Sequence, residues 1–304
     1  MKKNIIKQKK IIFYFQGGLG NQLFQYASAL AIASVTDREV YFDLTSYNKS
    51  FADKRSFHLE QLLILAGILP YKSKELHYWL VKIFYKLSLN RKSNIFKIFN
   101  YVIETNPIYY KNSSSNFDWK FLNSLDTHNT IYIYGFWMNE MYFINQKNII
   151  INDINQFFDS KFAHTISKDI LYGIHLRFFV KDNARNNDPN LFLENSTYYA
   201  KAIEYFNIEK KAFNFSVFSH DIPKAKIVLE GLGFDSVYFN YISDNDDMAS
   251  FYKLSKTPNL IISNSSFSWW AAFLRNHLSL PTLTITPLEC EMLPYIPKGW
   301  LQLN

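Results

Sequence analysis

Lys10-Ile-Ile-Phe-Tyr-Phe-Gln-Gly-Gly-Leu-Gly-Asn-Gln-Leu-Phe-Gln-Tyr-Ala27 is the stretch that decides the fold class. Ile11 to Phe15 is an apolar run of strand length, and Gly17-Gly18-Leu19-Gly20 is a turn. From Asn21 to about Ser34 the residues Leu23, Phe24, Ala27, Leu30 and Ala31 fall at helical spacing. Glu39 to Phe42 reads as the next strand. Strand, loop, helix and strand in that order predict a parallel sheet, because a parallel pair needs a crossover.

The same alternation returns further along. Glu75 to about Leu89 is helical, with Leu76, Trp79, Leu80, Ile83, Phe84 and Leu87 on one face and Lys82 and Lys86 on the other. Ile131 to Phe136 reads as a strand, and Ile151 to Lys168 as a crossover between halves. Beyond it the expected strands are Tyr172–Leu176, Phe213–Phe218, Val237–Phe239, Leu260–Ile262 and Thr282–Thr286. Between them the expected helices are Tyr198–Tyr205, Pro223–Leu232, Asp246–Leu254 and Phe267–Arg275. The expected architecture is two α/β halves, 1–160 and 161–304, with a cleft between them.

Composition narrows the class. The 304 residues are enough for about two domains at roughly 150 residues each. Hydrophobic residues at 48% and charged residues at 19% exclude a disordered chain. The formal charge of +7 points to an anionic partner: phosphate, nucleic acid or anionic lipid. A lone cysteine, Cys290, excludes an intrachain disulfide framework and a Cys-rich zinc site. No recognised nucleic-acid-binding motif appears. The apolar run after the N-terminal lysines is too short for a signal-peptide core or a membrane span. The expected location is cytoplasmic, with peripheral contact to an anionic membrane through the basic, aromatic helix around Trp79 as the alternative to simple docking of that helix.

Several motifs carry chemistry. At the first turn, Gly18 and Gly20 let backbone approach a ligand, the helix start presents N–H groups, and Asn21 and Gln22 add side-chain donors. The dinucleotide fingerprint is incomplete, since Leu23 stands where the third Gly belongs; Asp43 nonetheless lies at a ribose-contacting distance, which keeps an NAD-linked oxidoreductase open. The bland alternative is a tight turn without a ligand. His175 and Arg177 end a core strand two residues apart, so they share a side, and an Arg there can hold a diphosphate bidentately. The alternative is a structural salt bridge and a core histidine.

Ser263-Asn-Ser-Ser-Phe-Ser268 joins a buried strand to a helix led by Trp269 and Trp270. Ser265 or Ser266 would cap that helix, and one cap does not explain four small polar residues in a row. The Trp pair is either core or beside the ligand. Asp221, at the end of Phe218-Ser-His-Asp221, would bind a nucleoside or cap the helix at Pro223. Asp244-Asn245-Asp246 has the Asp-x-Asp form of metal-dependent transferases, but reads better as a loop with an N-cap, and no metal is expected.

Together, Gly17-Gly-Leu-Gly-Asn-Gln-Leu-Phe-Gln-Tyr-Ala27, Ile131-Tyr-Ile-Tyr-Gly-Phe-Trp137, Tyr198-Tyr199-x-x-Ala202-Ile203, Phe218-Ser219-x-Asp221 and Ser263-Asn-Ser-Ser-Phe-Ser-Trp-Trp270 resemble the α-1,2-fucosyltransferases of glycosyltransferase family 11. The resemblance implies a GT-B-like fold of two Rossmann-like halves, with the acceptor on the first and a GDP-sugar donor on the second. It implies inverting, metal-independent transfer of L-fucose from GDP-L-fucose to a galactose hydroxyl, in surface polysaccharide synthesis, with no cofactor. The partners implied are a GDP-sugar and a glycan or lipid-linked oligosaccharide acceptor. His175 and Arg177 match the family's His-x-Arg-Arg-x-Asp, whereas Phe178 and Val180 replace its second Arg and its Asp, with Asp182 and Arg185 nearby as candidate substitutes. That departure opens a relative such as GDP-colitose as donor, or an inactive sugar-nucleotide binder. The expected site is His175 and Arg177 for catalysis, and Gly18, Gly20, Asn21, Gln22, Asp221, Ser263, Asn264, Ser265, Ser266, Phe267 and Ser268 for the donor.

Overall fold

The computed structural model describes residues 9–48, 55–66, 68–71, 75–88, 95–104, 128–166, 170–179, 193–210, 214–242, 246–275, 281–288 and 296–303. Val180, Asp182, Arg185, Asp244, Asn245 and Cys290 lie outside the described residues. The chain divides into two compact units, Met1–Ile154 and Asn155–Asn304.

Unit 1 is built from β1 (Lys10–Tyr14), α1 (Leu19–Thr36), β2 (Glu39–Asp43), α2 (Glu60–Leu65), β3 (Leu69–Tyr71), α3 (Glu75–Ser88), β4 (Ile95–Ile98), β5 (Tyr101–Glu104) and β6 (Thr130–Tyr134). The division falls inside the following helix, α4 (Lys147–Phe162), which occupies most of the expected crossover. The sheet has six strands in the order β3-β2-β1-β6-β5-β4. β1 lies between β2 and β6, parallel to both, and β4 closes one edge antiparallel to β5. β1 buries Ile11 to Tyr14, as a central parallel strand covered on both faces must.

Two local departures from the expected boundaries have plain causes. α1 starts at Leu19 because Gly18 takes the extended N-cap position and Gly17 makes the turn at φ +83. A Cβ on Gly17 would sit 2.6 Å from the Asn21 amide nitrogen. β6 stops at Tyr134 because the Glu104 carboxylate accepts the N–H groups of Phe136 (2.6 Å) and Trp137 (2.7 Å), bending the chain through Gly135 at φ +150.

The expected single apolar face of α3 is divided. Val81 and Phe84 pack inward, with Leu80, Tyr78 and Tyr85, against Tyr14, Tyr101, Ile103 and Tyr134. Leu76, Trp79, Ile83 and Leu87 face outward. Lys82 leans inward and donates to the Tyr134 hydroxyl at 3.3 Å.

Unit 2 contains β7 (Tyr172–Leu176), α5 (Tyr198–Lys210), β8 (Phe215–Ser219), α6 (Ile222–Gly231), β9 (Phe239–Ile242), α7 (Asp247–Lys256), β10 (Asn259–Ile261), α8 (Ser266–Leu274), β11 (Leu283–Pro287) and β12 (Leu301–Leu303). Its six strands run parallel in the order β12-β11-β10-β7-β8-β9. Counted from β7, this is the mononucleotide-binding order, and it reverses between β7 and β10. The strand expected at Val237 starts at Phe239 instead, because Asp235 accepts the Val237 N–H at 3.0 Å and holds Ser236–Tyr238 in a 3-10 turn.

Arg275, at the end of α8, ties the far end of this sheet. It is buried and donates to the carbonyls of Thr257 (3.0 Å), Pro258 and Leu283 (3.5 Å) and to the Thr284 hydroxyl. Burial pulls its guanidinium down to about 9. Arg275→Met strands these acceptors, and should lower unfolding stability by about 2–4 kcal/mol in a denaturant titration. A change within about 0.5 kcal/mol, typical of a surface position, would contradict this role.

Candidate functional site at the strand-order switch of unit 2

In open α/β sheets, ligands bind beyond the carboxyl ends of the strands where the order reverses. In unit 2 that place is defined by the ends of β7 and β10, with β8 beside β7. His175 and Arg177 come from β7 and the residue after it, Ser219 to Asp221 from the end of β8 and the two residues after it, and Ser263 to Ser268 from the turn after β10 and the start of α8.

The strand ends are pinned from beneath by α5. The Tyr198 hydroxyl lies 2.6 Å from the Ile262 carbonyl and 3.0 Å from the Ile285 carbonyl, bridging β10 and β11. The Tyr199 hydroxyl donates to the His175 carbonyl at 3.1 Å. Both tyrosines are buried, and burial holds both phenols protonated as donors.

His175, which sequence reading entertained as a base, is engaged within the fold. Its ring is buried and stacks on Phe267 at 5.3 Å, and its Nδ1 bonds the Ser263 hydroxyl at 2.9 Å. Burial, reinforced by Arg177 and His220, lowers its pKa to about 3, so it is neutral at physiological pH.

The Ser-rich segment divides its work. Ser263 serves His175, and Ser265 caps α8 by accepting the Phe267 N–H at 3.3 Å. The Ser268 hydroxyl turns back to the carbonyls of Ser263 and Ser265, each at 3.4 Å. Asn264 is buried at the turn, and Ser266, half-buried, begins the helix. Trp269 and Trp270 are fully buried and pack on Phe273, so the Trp pair is core and not a ligand-facing surface. The first N–H groups of α8 and its partial positive charge are thus aimed at the strand-order switch.

Asp221 caps α6 by accepting the Lys224 N–H at 3.0 Å. Lys224 is a candidate that sequence reading missed. Its ammonium lies 4.3 Å from the centre of the Phe178 ring and pairs with Glu194 at 3.1 Å. A cation therefore stands over the side chain that replaces the family's second Arg. The signal was a Lys in the first turn of a helix, where the macrodipole disfavours a cation. Phe178 is buried, 5.9 Å from the His220 ring. Burial lowers the pKa of His220, Arg177 and Lys224 add to the effect, and the carboxylates of Asp221 and Asp247 oppose it. Arg177 and Lys224 thus flank one end of the sheet, joined there by the N-termini of α6 and α8.

The remaining residues sit in unit 1. Gly18 precedes α1, and Gly20 and Asn21 lie in its first turn. Gln22 does not present donors as expected: it is fully buried, its amide N–H groups go to the carbonyls of Gly17 (3.0 Å) and Ser56 (2.9 Å), and its oxygen accepts the His58 N–H (2.9 Å). Asp43, the ribose candidate of the dinucleotide reading, is buried and its Oδ1 accepts from the N–H and hydroxyl of Thr45. Asp246 is the N-cap of α7 and accepts the Met248 N–H at 2.8 Å, the bland reading of Asp244-Asn245-Asp246.

The neutral His175 links stability to acid. The unfolded imidazole, near 6.5, binds a proton that the folded one refuses until about 3, so stability is lost as pH falls through that window. Between pH 7 and pH 5 the stability advantage of the wild type over His175→Asn should shrink by about 2 kcal/mol. An advantage that does not change with pH would show that His175 titrates normally in the fold.

Three comparisons bear on kinship. Glycosyl transferase family 11 matches residues 10–290. An alpha-1,2-colitosyltransferase of Escherichia coli is 27% identical over 312 residues, covering 97% of this chain and 99% of that one. Among solved structures, POFUT1 in complex with GDP-fucose aligns with a TM-score of 0.44 at 14% identity, over 92% of this chain and 98% of that one. The E. coli heptosyltransferase WaaC with ADP-2-deoxy-2-fluoro heptose aligns with a TM-score of 0.45 at 10% identity, over 97% and 92%. With the family match spanning nearly its whole length, this chain belongs to glycosyltransferase family 11.

Proposed function

We propose that this transferase moves a 6-deoxy sugar from a GDP-linked donor to a sugar hydroxyl, inverting the anomeric centre and forming an α-1,2 linkage. The single observation that carries the donor reading is the convergence of Arg177, Lys224 and the start of α8 at the strand-order switch of unit 2. The acceptor oxygen attacks C1 from the face opposite GDP. The bond between C1 and the β-phosphate oxygen breaks, the acceptor proton passes to a base, and GDP leaves. Negative charge grows on the β-phosphate, where Arg177 and Lys224 stabilise it, helped by the donors of Asn264 to Ser268. His175, through Ser263, holds the α8 start in place, and Asp221 faces the nucleoside. The start of α1, with Gly18, Gly20 and Asn21, belongs to the acceptor side.

L-Fucose on a galactose acceptor is the first donor and acceptor pair to test. GDP-colitose is the second reading, supported by the E. coli relative's activity and by Phe178, which removes a guanidinium from the phosphate-binding end. Transfer without a metal, a lipid-linked oligosaccharide acceptor in surface polysaccharide synthesis, and work at the inner face of the cytoplasmic membrane complete the proposal.

Purified protein incubated with GDP-fucose or GDP-colitose and a terminal-galactose acceptor should release GDP and product, and EDTA should leave the rate unchanged. Strict metal dependence would overturn the metal-free mechanism. Arg177→Ala should lose at least tenfold in kcat/KM, since a charge-assisted contact is worth about 1.5–3 kcal/mol. Normal transfer by that variant would remove the phosphate site from this end of the sheet. Lys224→Ala should lower kcat/KM by roughly threefold to tenfold, with Lys224→Arg retaining most activity, because the contact is with a partly exposed point charge. Equal rates for all three proteins would return Lys224 to a surface ion pair.

A further inference from the structure

We propose that the outer face of α3, together with the tip of the β4–β5 hairpin, is the surface through which unit 1 docks on an anionic lipid bilayer. This takes up the membrane contact of the proposed function and is independent of the transfer chemistry.

The packing of α3 is complete without its outer face. Val81 and Phe84 carry the helix onto Tyr14, Tyr101, Ile103 and Tyr134. On the other side Leu76, Trp79, Ile83 and Leu87 recur at helical spacing, each between 51% and 62% exposed. Scattered surface apolar residues need no explanation, but four large ones on one stripe form a contiguous patch. α3 packs on β5, and β5 pairs with β4 in the hairpin that ends at Phe99. Phe99 is 74% exposed and has φ +51, a left-handed conformation that a bulky side chain disfavours and that turns normally give to Gly or Asn. An aromatic ring is thus held in solvent, on the tip of the edge hairpin whose inner strand α3 packs against.

Charge selects the partner. From Lys72 to Lys97 the sequence has seven Lys or Arg against one acid, Glu75, whereas the whole chain has 33 basic and 26 acidic residues. Apolar and aromatic residues on one stripe in a strongly basic segment are the signature of a helix lying in an anionic lipid interface. A second copy of the same face would set these cations against each other. At 14 residues α3 is about 21 Å long, too short to span a bilayer, and no helix among the described residues is long and apolar enough to do so. The contact is therefore superficial.

Sedimentation of the full chain with phosphatidylcholine vesicles, with and without phosphatidylglycerol, tests this. The protein should pellet with the anionic vesicles only and be released by high salt. Leu76→Gln/Trp79→Gln/Ile83→Gln should partition at least tenfold less, and Lys86→Glu should also weaken binding, both with unchanged thermal midpoints and unchanged transfer to a soluble acceptor. Equal binding to neutral vesicles, undiminished binding by the triple variant, or a wild-type dimer that the triple variant dissolves while vesicle binding persists would each overturn the proposal. If transfer fails in every protein yet vesicle binding still depends on the stripe, the lipid surface stands and the proposed reaction falls.

Discussion

Two neighbouring phenols hold the functional end of unit 2 together. In a parallel sheet, strands end where their ladder hydrogen bonds end, and the carbonyls there must find other donors. Tyr198 sets its hydroxyl between the Ile262 carbonyl, just past β10, and the Ile285 carbonyl within β11, and Tyr199 donates to the His175 carbonyl near the end of β7. The two strands at which the strand order reverses are thus both fastened to α5. His175 then reaches Ser263 across the same gap, and Ser263 belongs to the turn that starts α8. Strand ends, histidine, serine and helix start form one buried polar chain, and the cations at its rim inherit its rigidity.

Seen this way, the motifs of the sequence divide into scaffold and chemistry. His175, Ser263, Ser265 and Ser268 are engaged with one another or with backbone. Arg177 and Lys224 both act on the His220 ring, Lys224 from above Phe178. Phe178 alters the character of this rim: a buried ring with an ammonium above it replaces a planar guanidinium. A point charge binds phosphate with less geometric demand than a bidentate fork, so the proposed donor grip would be looser in geometry while similar in sign.

Much of the fold was legible because its signals are local. β7 was read to the residue from Tyr172-Gly-Ile-His-Leu176, and α6 and α8 within a residue at each end from Pro223 and the Ser cap. β12 was not legible, because Leu-Gln-Leu carries too little pattern to distinguish a three-residue strand from a loop. β4 and β5 were missed because the antiparallel hairpin turns on Phe99, which is no turn residue. The position of Gln22 was visible but its use was not: Ser56 and His58, which take up its amide, are more than thirty residues away. Lys224 carried only the weak signal of a Lys in a first helical turn, and its place over Phe178, a residue that follows β7, came from the fold.

The proposed donor site sets Arg177 and Lys224 against a diphosphate at the carboxyl end of β7 and β8. Calorimetric titration of GDP into the wild type and into Arg177→Ala/Lys224→Ala, at low and high salt, examines that claim without depending on acceptor or sugar. GDP should bind the wild type with a salt-weakened affinity, and the double variant should bind at least a hundredfold more weakly, about 2.8 kcal/mol or more at a factor of ten per 1.4 kcal/mol. Equal affinity for GDP in both proteins would contradict it.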